Sequence, residues 1–316
     1  MKLLVTGCTG FLGASIGRMA ASNGFEVLGI GRSNQPAAGW PGKYFQKDLA
    51  CSDISTIIET FMPDVFFHAA GPASVSESFI APIDDFQASL LTWVNALDSI
   101  RRSNLRPLVL FPSSAAVYGN PLVLPVREDA VIAPISPYGF HKAACELIAR
   151  EYSECFGLDI TVCRFFTIFG AAQRRLLIWD LFQQFAGPEQ TVWLQGGTES
   201  RDYFDIDDAG GILIRIICQN LNSQNKDCQQ GRYRVVNIAS GEQIKVLDVA
   251  RQIRELVAPA KDVRCREQKM VGHPDHWCAD ISLLRSLVPN WQPKPFSRAL
   301  SRCVAVWREK QVPIVG

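Results

Sequence analysis

At 316 residues, with 47% hydrophobic and 20% charged residues, the chain can bury a large core, and its composition excludes a disordered protein. Thirty-two Lys and Arg stand against 31 Asp and Glu, a net charge of +1, so no overall field attracts nucleic acid or an anionic membrane. No apolar run approaches the roughly 20 residues that span a bilayer, and Met1 runs straight into a strand-like segment without a signal-peptide pattern. Ten scattered cysteines without a Cys-x-x-Cys pair read as reduced thiols, so a cytoplasmic location is expected.

In chain order, Lys2 to Thr6, Phe25 to Ile30, Asp64 to His68, Pro107 to Pro112 and Asp159 to Phe165 are short runs rich in Val, Ile, Leu and Phe, the signature of buried parallel strands. Phe11 to Asn23, Asp53 to Phe61, Ile83 to Ser103 and Pro137 to Phe156 carry the three-to-four-residue spacing of helices. Alternating strands and helices predict an α/β fold, a doubly wound parallel sheet that takes a ligand at its carboxyl edge. After about residue 170 the pattern loosens, with a Gly-rich stretch at Gln195 to Ser200 and a polar loop at Asn220 to Gly231, which predicts a smaller mixed α/β lobe. Residues 1–170 are expected to form the first unit, with returning segments near 201–219 and 233–250, and 171–316 mainly the second.

The first strand is followed at once by Thr6-Gly7-Cys8-Thr9-Gly10-Phe11-Leu12-Gly13 and a helix. Gly7 permits a tight turn, Gly10 lets the backbone approach a pyrophosphate, and Gly13 allows helix and strand to pack closely, with Thr9, Phe11 and Leu12 completing the loop. This predicts dinucleotide binding. About 20 residues on, an acidic residue usually binds the ribose of a cofactor lacking a 2′-phosphate, but here stands Gly31-Arg32-Ser33. A guanidinium there favours NADP over NAD; the alternative is an exposed loop arginine. Asp48 and Leu49 could meet the adenine, or Asp48 could cap the next helix.

Ser136-Pro137-Tyr138-Gly139-Phe140-His141-Lys142 opens a helix, with Ser136 as N-cap and Pro137 in the first turn. Four residues is about one turn, so Tyr138 and Lys142 share a face, and the ammonium favours the phenolate that a general base requires. Upstream, Ser113-Ser114-Ala115-Ala116-Val117-Tyr118-Gly119 follows a strand end, where a hydroxyl can bind the same substrate oxygen. His273 and His276 flank Pro274, which argues against one helix face presenting both to a metal, and no metal centre is expected.

In order and spacing, Thr-Gly-x-x-Gly-x-x-Gly, Ser-Ser-x-x-x-Tyr-Gly, Tyr-x-x-x-Lys, the Arg164 to Gly170 stretch and Arg201-Asp202-Tyr203 resemble the extended short-chain dehydrogenases, the nucleotide-sugar epimerases and dehydratases. The resemblance covers nearly the whole chain. It implies a Rossmann fold, Tyr138 as acid/base, Lys142 on the nicotinamide ribose and Ser114 orienting the reacting oxygen, with Ala69, Ala70 and Phe165 also at the cofactor. It further implies that Arg201 reaches a substrate diphosphate, that Arg175 with Arg174 helps, that Val192 lies in a strand beside the nucleotide base, and that Thr167 meets the substrate where relatives carry Asn. Met270 and His273 stand where many relatives carry Arg and Asp, which leaves the nucleotide open. Hexose 4,6-dehydratases of this family place an acidic pair after the catalytic hydroxyl; Ala115-Ala116 cannot move protons and disfavours that reaction. The reading expected first is a 4-epimerase acting on a nucleotide-diphosphate sugar through a 4-keto intermediate. An NADPH-dependent 4-keto-sugar reductase is close behind, and a non-catalytic cofactor-binding protein is the alternative of another class. A homodimer through paired helices is expected by analogy.

Overall fold

The computed structural model describes residues 1–222, 231–266 and 271–311. Met270 and most of the polar loop at Asn220 to Gly231 lie outside the described residues. The strands are β1 (Lys2–Thr6), β2 (Glu26–Gly31), β3 (Lys43–Gln46), β4 (Val65–His68), β5 (Leu108–Ser114), β6 (Ile160–Phe165), β7 (Thr167–Phe169), β8 (Thr191–Gln195), β9 (Ser200–Asp205), β10 (Tyr233–Ile238), β11 (Gln243–Lys245) and β12 (Asp262–Arg266). The helices are α1 (Phe11–Ser22), α2 (Ser55–Phe61), α3 (Val75–Ile80), α4 (Pro82–Phe86), α5 (Thr92–Arg102), α6 (Pro137–Phe156), α7 (Leu177–Ala186), α8 (Ile206–Asn222), α9 (Val246–Val257), α10 (Ser282–Leu287) and α11 (Phe296–Gln311).

Seven strands form one sheet in the order β10-β6-β5-β4-β1-β2-β3, every neighbouring pair parallel. Strand side chains alternate between its two faces, and the core divides accordingly. Leu3 and Val5 of β1 point into a cluster with Ile16 and Ala20 of α1 and Ile212, Leu213 and Ile216 of α8. Leu4, between them, points into a second cluster with Ile58 of α2, Trp93 and Leu97 of α5, and Cys145 and Ala149 of α6. Each face is thus covered by helices, which is why these strands read as unbroken apolar runs. Strand order reverses between β1 and β4, the point at which sheets of this kind take a ligand outside the carboxyl ends of their strands.

A third apolar cluster, with Phe182 of α7, Val192 and Leu194 of β8, Val249 of α9 and Trp307 of α11 at its centre, holds the second lobe. Two small sheets flank it: β11-β9-β7, and β12 parallel to β8. The chain weaves between the lobes. After β9 in the small sheet, α8 returns to cover the large one and β10 becomes its edge strand beside β6.

The helix expected over Ile83 to Ser103 is interrupted. It runs as α4, a π-helical turn at Gln87–Leu91, and α5. At the junction the Thr92 hydroxyl bonds back to the carbonyls of Ala88 and Ser89 at 2.7 and 3.2 Å, serving backbone acceptors that the wider turn leaves over.

Candidate active site

The glycine loop takes the shape that phosphate binding needs. Gly7 has φ +64°, and a Cβ there would come within 2.3 Å of the Ala69 carbonyl, so the β1 loop lies directly on the Ala69-Ala70 backbone that leaves β4. A Cβ on Gly13 would meet the Gly7 carbonyl at 2.4 Å, which fixes the first turn of α1 against the loop. Gly10 is exposed, and a Cβ there would meet only the Gly7 carbonyl, at 3.3 Å. Gly10 is also the N-cap of α1, with no side-chain cap and no acidic residue in the first turn, so the helix's first N–H groups have no side chain competing with a phosphate. These residues fit the pyrophosphate of a dinucleotide.

At the adenosine end the candidates fare differently. Arg32 is exposed just beyond β2. Asp48 is exposed and accepts the Ala50 N–H at 3.0 Å, an Asx turn; α2 begins seven residues later, so the alternative of a helix cap is replaced by a local turn. The Leu49 side chain is packed in the core, and its carbonyl accepts from Asn95 at 2.9 Å. Its side chain therefore serves packing.

The catalytic candidates converge at the carboxyl end of β5. Ser136 caps α6 by accepting the Gly139 N–H at 3.1 Å, with Pro137 in the first turn. The helix thus starts one residue before Tyr138, which is buried. Lys142 is 7% exposed and donates to the Pro112 carbonyl at 3.0 Å, with its ammonium 5.0 Å from the Phe111 ring centre and 5.8 Å from that of Tyr138. Among the described residues it has no carboxylate within 4.0 Å, so its charge remains available to a phenolate or a ribose. Ser114 ends β5, its Oγ accepting the Ala116 N–H at 3.1 Å, which leaves the hydroxyl proton free to donate. Phe165 pairs with Ser114 across the sheet and buries its ring in the core. Tyr138, Lys142 and Ser114 therefore gather at the carboxyl end of β5, on the same side of the sheet as the glycine loop after β1.

Behind them lies a buried polar network that sequence reasoning missed. Arg164 forks onto Glu146, Nε to Oε1 at 3.0 Å and Nη2 to Oε2 at 2.7 Å, and donates to the Tyr118 hydroxyl at 2.9 Å. Ser113 donates to Glu146 at 2.5 Å, and Tyr118 to Asn237 at 2.7 Å. Burial pulls the Arg164 pKa down, but Glu146 and Tyr118 outweigh it and the net shift is upward. Glu146 lies four residues beyond Lys142, as Lys142 does beyond Tyr138, so one face of α6 carries all three. That spacing was the available signal. His68, at the end of β4, is stacked with Phe66 and Phe111 and tilted against Trp93, and its Nδ1 lies 3.0 Å from the Thr6 hydroxyl. Burial, with Lys142 adding to it, pushes its pKa down to about 3.

On the lobe side, Arg201 of β9 is buried and donates to the Ser200 carbonyl at 2.8 Å, with its guanidinium 5.4 Å from the Trp277 ring centre. Burial lowers its pKa, opposed by Tyr203, Glu199 and Asp275, and among the described residues no salt bridge neutralises it. The neighbouring Asp202 is structural: it accepts from Ser240 N and Oγ at 2.8 and 2.6 Å, Gly241 N at 2.9 Å and Ala279 N at 3.2 Å. Burial raises its pKa to about 6 against those four bonds. Thr167 opens β7 opposite Tyr203 of β9. Arg175 is exposed and 4.0 Å from Glu77 of α3. Val192 faces the lobe core while Trp193 is exposed, so any base contact of this strand falls to its backbone or to Trp193 and not to the Val192 side chain. His273 lies 3.5 Å from Ser76, whereas His276 bonds Ser200 at 2.9 Å.

Residues 3–239 match the model of the NAD-dependent epimerase/dehydratase family. The chain belongs to that family. A UDP-glucuronate 4-epimerase of Thermodesulfobacterium geofontis is 26% identical, over 99% of this chain and 97% of that protein. A UDP-glucose 4-epimerase of Corynebacterium glutamicum is 27% identical over 81% and 80%. Among solved structures, a UDP-N-acetylglucosamine 4-epimerase from Methanobrevibacter ruminantium M1 superposes with a TM-score of 0.82 at 25% identity, covering 98% of both chains. MoeE5, solved with UDP-glucose and NAD, gives a TM-score of 0.84 at 21% identity over 98% of this chain and 99% of that one, a likeness of fold. As a member of this epimerase/dehydratase family the protein is a nicotinamide-dependent enzyme of the Rossmann type, and the cradle described above is where the family's dinucleotide fits. No helix among the described residues is long and apolar enough to cross a membrane.

Proposed function

We propose that the protein is a 4-epimerase of a nucleotide-diphosphate sugar. The observation that carries the proposal is the meeting of Tyr138, Lys142 and Ser114 at one sheet edge with an aliphatic Ala115-Ala116 pair beyond the hydroxyl. That set moves one proton on one oxygen and carries no second acid and base for eliminating water, which disfavours a dehydratase. The 4-epimerase names of the relatives agree with it.

When bound, the nicotinamide cofactor supplies reversible hydride transfer at C4 of the sugar. Lys142 lies beside the Tyr138 ring, its ammonium 5.8 Å from the ring centre, and Tyr138 takes the proton from O4 as C4 becomes a ketone. Ser114 donates to the same oxygen and fixes its position. After the keto-sugar turns over, Tyr138 returns its proton to O4 on the inverted centre. Arg201, a buried guanidinium without a salt-bridge partner among the described residues, takes the diphosphate, and Arg175 and Thr167 are assigned to the same substrate.

For the cofactor we favour NADP over NAD, because Arg32 and no carboxylate follows β2. That residue also supports the second reading, an NADPH-dependent reductase of a 4-keto sugar. We divide the chain at about residue 170 into cofactor and substrate units, with α8 and β10 returning to the first. We assign a homodimer through the helices over residues 83–103 and 137–156, on which Ile83, Phe140 and Leu147 are exposed. The free cysteines suit the cytoplasm. Incubation with UDP-hexoses without added reductant tests the main reading: inversion at C4, seen by proton NMR, supports it, and unchanged sugars across the panel with consumption of a 4-keto sugar and NADPH contradict it.

A further inference from the structure

We infer that His141 and Asp85 are positioning residues for Tyr138, a tie that fixes the first turn of α6 from the helices following β4; the inference rests on the proposed role of Tyr138. Pro137 brings no N–H to that turn, so its first donors are Tyr138 and Gly139. Gly139 is served locally by the Ser136 cap. The Tyr138 N–H instead donates across to Ser78 Oγ of α3 at 3.1 Å, and the buried Ser78 hydroxyl donates in turn to the Val75 carbonyl at 2.7 Å. Three residues after Tyr138, His141 meets Asp85 of α4, Nδ1 to Oδ2 at 2.5 Å. A carboxylate only accepts, so Nδ1 carries the proton and donates it.

The surroundings of the pair hold its geometry. The Asp85 side chain is 4% exposed and that of His141 17%, and the Phe86 ring stands at 79° to the imidazole with 5.6 Å between centres. Asp85 Oδ1 has no partner among the described residues, so His141 is the side chain that serves this buried carboxylate. Burying a carboxylate on so few bonds is costly. Apolar side chains of similar volume would hold α4 against α6 at a lower desolvation cost; a bond of fixed length and direction adds one register of α6 on α4. His141 lies between Tyr138 and Lys142 in the chain, so the register it sets is theirs. A displacement of about 1 Å at the reacting atoms costs on the order of 10²-fold in rate.

The test compares His141→Asn with the double variant His141→Ala, Asp85→Ala, which removes the pair without leaving the carboxylate unpartnered. Both are measured in C4 inversion of UDP-hexoses and in hydrogen exchange of the peptide spanning Tyr138 to Lys142. In the double variant kcat is expected to fall by about 10- to 100-fold with KM within about twofold of wild type. Exchange of that peptide is expected to quicken at least about tenfold while the later turns of α6 keep their protection. His141→Asn, whose amide nitrogen stands where Nδ1 does, is expected to restore kcat to within about threefold of wild type. A folded double variant with wild-type kcat would overturn the inference. So would lost protection along the whole of α6 with kcat and KM unchanged, the result of a merely structural pair. A wild type that inverts no UDP-hexose would overturn the epimerase reading alone; exchange would then decide the tie, and an unaltered Tyr138 to Lys142 peptide in the double variant would overturn it.

Discussion

Lys142 donates its ammonium to the Pro112 carbonyl at 3.0 Å, two residues before Ser114, so the helix that presents Tyr138 is tied to the strand that presents the hydroxyl. Tyr138, Lys142 and Ser114 are therefore positioned as one unit, and disturbing one member moves the others.

Replacing Tyr138 by Phe removes the proposed proton carrier and leaves the packing of its ring. Turnover is expected to fall by about 10²- to 10⁴-fold, with cofactor affinity, measured by calorimetry, unchanged. Lys142→Met is expected to lower both turnover and cofactor affinity, because the ammonium serves both. Unchanged turnover in Tyr138→Phe contradicts the assignment.

The Glu146 and Arg164 pair is buried on both sides, and cutting one partner strands the other charge. Glu146→Ala is expected to destabilise the fold by about 3–5 kcal/mol. The double variant Glu146→Leu, Arg164→Met is expected to be more stable than Glu146→Ala, since it leaves no unpaired charge. Denaturant titration of the three proteins checks this; equal loss in both variants would mean that the charge itself costs nothing.

His68 makes stability depend on pH. Its folded pKa, about 3, lies below the ordinary histidine value of 6.5, so between these the unfolded chain binds a proton that the folded protein refuses. Its contribution is complete above pH 6.5 and is lost as pH falls toward 3, at about 1.4 kcal/mol per unit. His68→Asn, which keeps a polar atom near Thr6, is expected to flatten that slope. Urea midpoints at pH 7 and pH 5 measure it, and an unchanged difference between them would contradict the account.

Arg201 is buried without a salt bridge among the described residues, and the proposed function gives it the diphosphate. Arg201→Met is expected to change the stability of the ligand-free protein by no more than about 1 kcal/mol, because the guanidinium's desolvation cost goes with its bonds. Wild type is expected to gain thermal stability from UDP and the variant to gain none. A full UDP-induced shift in Arg201→Met would place the diphosphate elsewhere.

What was legible beforehand has physical causes. Pro137–Phe156 was readable to the residue because its ends are written in local chemistry: a serine cap, a proline in the first turn, and Gly157 closing the helix at φ +70°. The glycine loop was readable for the same reason. The interruption at Gln87–Leu91 was not, because a π turn depends on where the helix packs and Thr92 serves its spare carbonyls only in the folded chain. Leu49 and Val192 illustrate a second limit: the strand or loop was placed correctly along the chain, but which way each side chain turned was decided by the core. Glu146 and Asp202 found their partners across long stretches of sequence, from Arg164 to Ala279, and no local pattern names such a partner.

The most direct test of the central claim is to follow a UDP-hexose carrying deuterium at C4 through the reaction without added reductant, by NMR and mass spectrometry. The account predicts C4 inversion with the deuterium retained at C4, because hydride leaves and returns within one site. Loss of the label to solvent, or product that forms only from a 4-keto sugar with stoichiometric oxidation of NADPH, would contradict it.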